Sequence, residues 1–316
     1  MKNSIVPAGA FILLLQALAG GAAGATLVVG PGRAYELPSS AALAARPGDT
    51  IRILPGRYAD CAVWQADGLT IEGKGRVTVA DEICEGKALF VISGSNVTVR
   101  GITFTEAHNR VHNGAGIRAQ GTGLRIENSR FIDNDEGLLA GANLASTITV
   151  RDSYFRGNGT CAGACAHGLY VGEIARLRVE HCEFVGQLEG HHIKSRAART
   201  EILDNRVHDG PQGTSSYLVD IPNGGSVLIR RNHFEKGPNS QNFAVAIAIG
   251  AEGATQAPAD RIDIEDNLLV NDTGGPTLFV RIYTSTPARL AGNILGGDVT
   301  ALAGPGAVEA GAPPPN

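Results

Sequence analysis

A six-residue pattern recurs eight times between Val99 and Leu295, and it constrains the fold more than any other feature of the 316-residue chain. The segments are Val99–Phe104, Ile126–Phe131, Val150–Phe155, Val179–Phe184, Ile202–Val207, Ile229–Phe234, Ile264–Leu269 and Leu290–Leu295. Positions one and six are apolar in all eight. Position four is Asn in four of them (Asn205, Asn232, Asn267, Asn293), with Ser129, Ser153, Cys182 and Ile102 in the others. Successive sixth positions are 27, 24, 29, 23, 27, 35 and 26 residues apart. A unit of that length cannot bury an apolar face alone, but stacked copies can. Short alternating strands, with no competing helical period, predict an all-β right-handed parallel β-helix. Coils about 4.8 Å apart set like on like. An inward Asn at each turn then bonds the turn of the next coil, and the sixth positions form an interior stack.

The flanks fit that reading. Lys2, the apolar run Phe11–Leu18 and Ala23-Gly24-Ala25 read as a signal peptide over residues 1–25. The run is short of the ~20 residues a membrane span needs. Secretion or periplasmic export is therefore expected. Residues 26–300 are expected to form one β-helix domain, opened by a cap with a strand at Leu27–Val29 and a short helix near Leu37–Ala45. Residues 301–316, rich in Ala, Gly and Pro, are expected to be a poorly ordered tail. In an oxidising compartment Cys61 with Cys84, and Cys161 with Cys165, could pair, leaving Cys182 as a buried thiol. With 18% charged residues and a net charge of -4, no basic face for nucleic acid is expected.

The opening "PGDTIRILPGRY" and the "I-x-x-N-x-F" coils resemble the pectate-lyase-like β-helix superfamily over about residues 26–300. That fold hosts lyases, hydrolases, epimerases and binding spikes, so function has to come from the site.

Each coil carries a second strand upstream of the repeat. Read by stacking, its outward positions run Arg118, Leu139, Tyr170, Lys194, Asp220, Ala248. The densest polar stretch is Gly190–Ala197, with His191, His192, Lys194 and Arg196 in a lightly charged chain. Tyr170, Lys194, Asp220, His191 and His192 are the candidate catalytic residues. Arg118, Arg196, His167, Tyr217 and Glu136 are the candidate substrate-binding residues, and His181 reads as structural. The stretch "HHIKSRAARTEILDNRVHD" is similar to β-helix alginate lyases and chondroitinases. That resemblance implies that Lys194 takes the proton beside a uronate carboxylate. It also implies an Arg on the following coil as the acid, but Asp220 stands there instead. Tyr170, Arg118 or Arg196 are the substitutes for the acid. In the alternative assignment a His is the base, and Lys194 and Arg196 hold the carboxylate.

The expected activity is β-elimination on a uronate-containing polysaccharide, by a monomer whose partner is that acidic polymer. A C5 epimerase, a glycoside hydrolase and a non-catalytic carbohydrate-binding solenoid are the alternatives. A hydrolase needs two carboxyls about 5–9.5 Å apart. Asp220 has no acidic neighbour in its column, which leaves loop acids such as Glu252. No cofactor is required. Calcium is possible but no metal site is predicted, because Asn134, Asp135 and Glu136 lie on a coil separated by two others from that of Asp220.

Overall fold

A computed structural model describes residues 24–253 and 261–309. The chain coils into a parallel β-helix with three faces, sheets of 12, 10 and 10 strands in which every neighbouring pair is parallel. The first sheet runs from Thr26–Val29 to Gly306–Glu309, the second from Gly56–Ala59 to Ile294–Gly296, and the third from Ala62–Trp64 to Val299–Ala303. Each coil visits them in that order.

The repeat is the bend between the first and second sheets. Position two ends the first-sheet strand, as Glu127 ends Leu124–Glu127. Position six centres the second-sheet strand, as in Arg130–Ile132. Position three makes the bend. Gly101, Asn128, Asp152, His181, Asp204, Arg231, Asp266 and Gly292 all have φ between 47° and 70°. Most are Gly, Asn or Asp, the residues that enter the left-handed region at least cost. Position four then points inward. Asn205 Nδ2 donates to Asn232 Oδ1 (2.9 Å), Asn232 Nδ2 to Asn267 Oδ1 (2.9 Å) and Asn267 Nδ2 to Asn293 Oδ1 (2.9 Å). The same carbonyl oxygens accept backbone N–H groups of the preceding coil, so the ladder satisfies main chain that burial would otherwise strand. A second ladder joins Asn134 to Asn158 at 3.0 Å.

Position six forms the interior stack. Phe104, Phe131, Phe155 and Phe184 lie ring on ring, with centroids 5.3, 4.6 and 4.5 Å apart. The helix Pro38–Ala44 covers the amino-terminal end against Ala62–Trp64. Disulfides join Cys61 to Cys84 and Cys161 to Cys165. Cys182 is free and buried, and burial pushes its thiol up to about 12, so it is inert.

The expected tail needs correction. Val299–Ala303 and Gly306–Glu309 pair with the coil before them, so the β-helix continues past residue 300. Small residues pass for a tail in composition, yet suit a narrow last coil. Residues 310–316 and almost all of the expected signal peptide lie outside the described residues.

Candidate functional site

The third sheet carries the site. Its register pairs Arg118 with Leu139, Leu139 with Tyr170, Tyr170 with Lys194, Lys194 with Asp220, and Asp220 with Ala248. The outward column expected from the sequence is therefore the observed one. Alternation fixes it: Ile193 and Ser195, either side of Lys194, are fully buried, while the Lys194 side chain keeps 11% of its surface.

Lys194 is the hub. Its Nζ lies 3.3 Å from Asp220 Oδ2 and 3.1 Å from Glu252 Oε1. Arg196, just past the end of the strand Ile193–Ser195, donates from Nε to the Tyr170 hydroxyl (3.0 Å) and from its terminal nitrogens to Glu252 Oε2 (2.5 Å) and Asn223 Oδ1. Because the Tyr170 oxygen accepts from Arg196, its own hydrogen is left to point elsewhere. Burial raises Asp220 to about 6, against the pull of Lys194. Its Oδ1 is buried with no hydrogen-bond partner among the described residues.

One flank is an aromatic ladder. His167 stacks on His191 at 4.8 Å, and His191 on Tyr217 at 5.1 Å. Backbone N–H groups set both tautomers. His191 N–H donates to His167 Nδ1 (3.0 Å), and Tyr217 N–H to His191 Nδ1 (3.1 Å). The proton of His191 therefore sits on Nε2, 3.4 Å from Asp220 Oδ2. Burial and the nearby cations push His167 down to about 3 and His191 well below the usual range. His191 is thus a neutral donor with no lone pair to spare, which corrects its reading as a base. Burial also raises the Tyr217 phenol.

The other flank is an open groove of about 500 Å³, lined by Arg118, Leu139, Gly141, Tyr170, Gly172 and Arg196. Nε of Arg118 is buried without a partner among the described residues.

Two expected residues stand elsewhere. His192 is turned into the core, its Nε2 2.9 Å from Asp209 Oδ1, with the buried Lys236 behind. Strict alternation lapses at the start of this strand, where His192 and Ile193 both face inward. Glu136 is 3% exposed, with burial raising its carboxyl well above the ordinary value, so it lies beneath the surface and not in the groove. His181 is exposed on the bend, 3.8 Å from Asp152. Asn134 is committed to its ladder, and Asp135 accepts from His108 Nδ1 (2.8 Å) and two backbone N–H groups. Among the described residues no group of three or more His, Cys, Asp or Glu side chains is arranged to hold a metal ion.

Asn223 is the member that the sequence did not bring forward, and the sequence offered Glu252 only as a loop acid for a hydrolase. Both lie in turns just past third-sheet strands, where no periodicity assigns a direction. Their signal was positional: these turns follow the Asp220 and Ala248 strands, one and two coils beyond Lys194.

A family model described as a right handed beta helix region matches residues 57–166. The fold superposes on the crystal structure of pectate lyase Pel9A with a TM-score of 0.63 and 15% identity, over 89% of this chain and 78% of that one. An alginate lyase from Paenibacillus sp. str. FPU-7 gives 0.57 and 17%, over 88% and 99%. ORF18 of Geobacillus virus E2 gives 0.55 and 15%, over 83% and 54%. No curated protein matches the chain by sequence. The chain is a right-handed parallel β-helix, similar in fold to these two lyases. At these identities the likeness speaks for the fold, and the chemistry rests on the residues just described.

Proposed function

We propose that this β-helix is a polysaccharide lyase that cleaves a uronate-containing polymer by β-elimination. The observation that carries the reading is the succession of Tyr170, Lys194 and Asp220 on adjacent coils, with Arg196 tied to Tyr170. The reaction needs a base for the C5 proton, a cation against the carboxylate, and an acid for the departing oxygen.

Lys194 is the base. It lies between two carboxylates, Asp220 and Glu252, and acts once its proton has passed to Asp220. Asp220, raised to about 6 by burial, is a readier acceptor than a solvated carboxylate, and closure over the site by a bound polymer favours the neutral pair. The free amine then takes the C5 proton. The bonding pair moves onto the carboxylate, held by Arg196, and returns to form the C4–C5 double bond as the C4–O bond breaks. Tyr170 donates its hydroxyl proton to the leaving oxygen, and the Arg196 guanidinium faces the charge left on the phenolic oxygen. Asp220 thus has a role that an Arg there would not have filled. No cofactor enters this scheme.

Two disulfides support secretion into an oxidising compartment, and among the described residues no helix is long and apolar enough to cross a membrane. We take the enzyme to act as a monomer.

A glycoside hydrolase is the second reading. Asp220 and Glu252 reach the same ammonium, and their environments separate them: Asp220 is raised to about 6, while Glu252 is lowered because hydrogen bonds from Arg196 and Lys194 outweigh its partial burial. Incubation with alginate, pectate, glucuronan and chondroitin separates the two. A lyase releases ends that absorb in the ultraviolet through the new double bond. New reducing ends without that absorbance would sink the lyase reading in favour of hydrolysis.

A further inference from the structure

Four charged side chains meet at the site, and one differs from the others. Side-chain exposure is 11% for Lys194, 20% for Arg196 and 4% for Asp220, but 48% for Glu252. Glu252 lies on the turn after the strand Val245–Ile249. Its backbone is fixed: its N–H donates to Pro222 O (2.9 Å), Gly253 N–H donates to Gly250 O (3.1 Å), and Asn223 Nδ2 donates to Gly253 O (3.2 Å). The side chain reaches from this anchored turn across the outer side of the two cations.

The contacts are shared between its oxygens. Oε1 meets Lys194 Nζ at 3.1 Å and Oε2 meets Arg196 Nη2 at 2.5 Å. A carboxylate that spans a lysine and an arginine, one oxygen on each, is what a uronate in the groove would have to supply. With Glu252 withdrawn, Lys194 keeps Asp220 Oδ2 at 3.3 Å, and Arg196 keeps the Tyr170 hydroxyl and Asn223 Oδ1. The excess positive charge then suits one bound carboxylate.

We propose that Glu252 is a resident stand-in for the substrate's carboxylate and a specificity-determining residue. It occupies the Lys194–Arg196 cation pair in the empty enzyme and is displaced only by a ligand that brings a carboxylate of its own. A neutral sugar or a methyl-esterified uronate cannot replace the two charge-assisted contacts it would break, so it is rejected by their loss. A uronate exchanges one carboxylate for another, and its affinity is reduced by the competition. This inference rests on the reading of the groove as a uronate site.

Calorimetric titration of the wild type, Glu252→Gln and Glu252→Ala tests it. The probes are trisaccharides of galacturonate, mannuronate, guluronate and glucuronate, with the fully methyl-esterified galacturonate trimer as control. Both variants should bind the preferred acidic trimer about tenfold more tightly, equivalent to about 1.4 kcal/mol, and the esterified trimer no better in proportion. If the wild type binds an acidic trimer and both variants bind it equally or more weakly, the stand-in role is overturned while the lyase reading remains. If no form binds any acidic trimer and the wild type releases no unsaturated product from the polymers, the uronate-lyase reading is overturned and this proposal with it.

Discussion

Asp220 holds a carboxylate where burial resists its charge, with a lysine on one side and a neutral imidazole on the other. If its task is to relieve Lys194 of a proton, Asp220→Asn should lower kcat about 10²- to 10³-fold near neutral pH, within the range of a lost acid–base group. The pH dependence that the Asp220 carboxyl, raised to about 6, imposes on the wild type should vanish from the variant. A pH–rate profile checks this, and a uniform loss at every pH would assign Asp220 to packing alone. Tyr170→Phe keeps the ring but removes the acid, and should cost kcat about 10²-fold with little change in KM. A second buried pair acts on stability. Lys236 is fully buried, donates to the carbonyl oxygen of Ser216, and is pushed by burial down to about 8. Its folded value lies below the unfolded one, so between about pH 8 and 10.5 the unfolded chain binds more protons and stability rises with pH. Lys236→Met should flatten that rise in denaturant titrations. The outward column was readable because strand alternation gives each residue a side. His192 stands where alternation lapses, and Glu252 could be raised only as a loop acid because a turn has no period.

At the scale of the element, the bend and its ladder govern. Asn232 accepts from Asn205 N–H and Nδ2 and donates to Ile202 O, Arg230 O and Asn267 Oδ1. Asn232→Ala should cost about 2–4 kcal/mol, since it leaves buried main chain unpaired on two coils. A loss under 1 kcal/mol in urea unfolding would mean that the ladder is ornamental. His181 occupies the bend at φ 52° with its side chain exposed. His181→Gly should therefore stabilise the coil, by up to about 1 kcal/mol. The inward Asn positions were legible in the repeat. The left-handed third position was present in the same alignment as a run of Gly, Asn and Asp, interrupted by His181 and Arg231, and it takes its meaning only once the corner is seen.

For the molecule as a whole, stacking turns a local repeat into a long surface. The repeat specified the solenoid, and the register of that solenoid brought residues 24 and 26 positions apart in sequence, 170 with 194 and 194 with 220, into contact across adjacent coils. Chemistry was less legible than architecture, because the fold sets the column and leaves its occupants free. The groove between Arg118 and Arg196 runs across several coils, which fits a polymer lying along the helix axis. The most direct test compares progress curves of the wild type and Lys194→Ala on an acidic polysaccharide that the wild type degrades, following the ultraviolet absorbance of unsaturated uronate ends. The account predicts steady accumulation by the wild type and a fall of at least about 10³-fold in kcat for a Lys194→Ala protein that is still folded. A variant within tenfold of the wild type would contradict it.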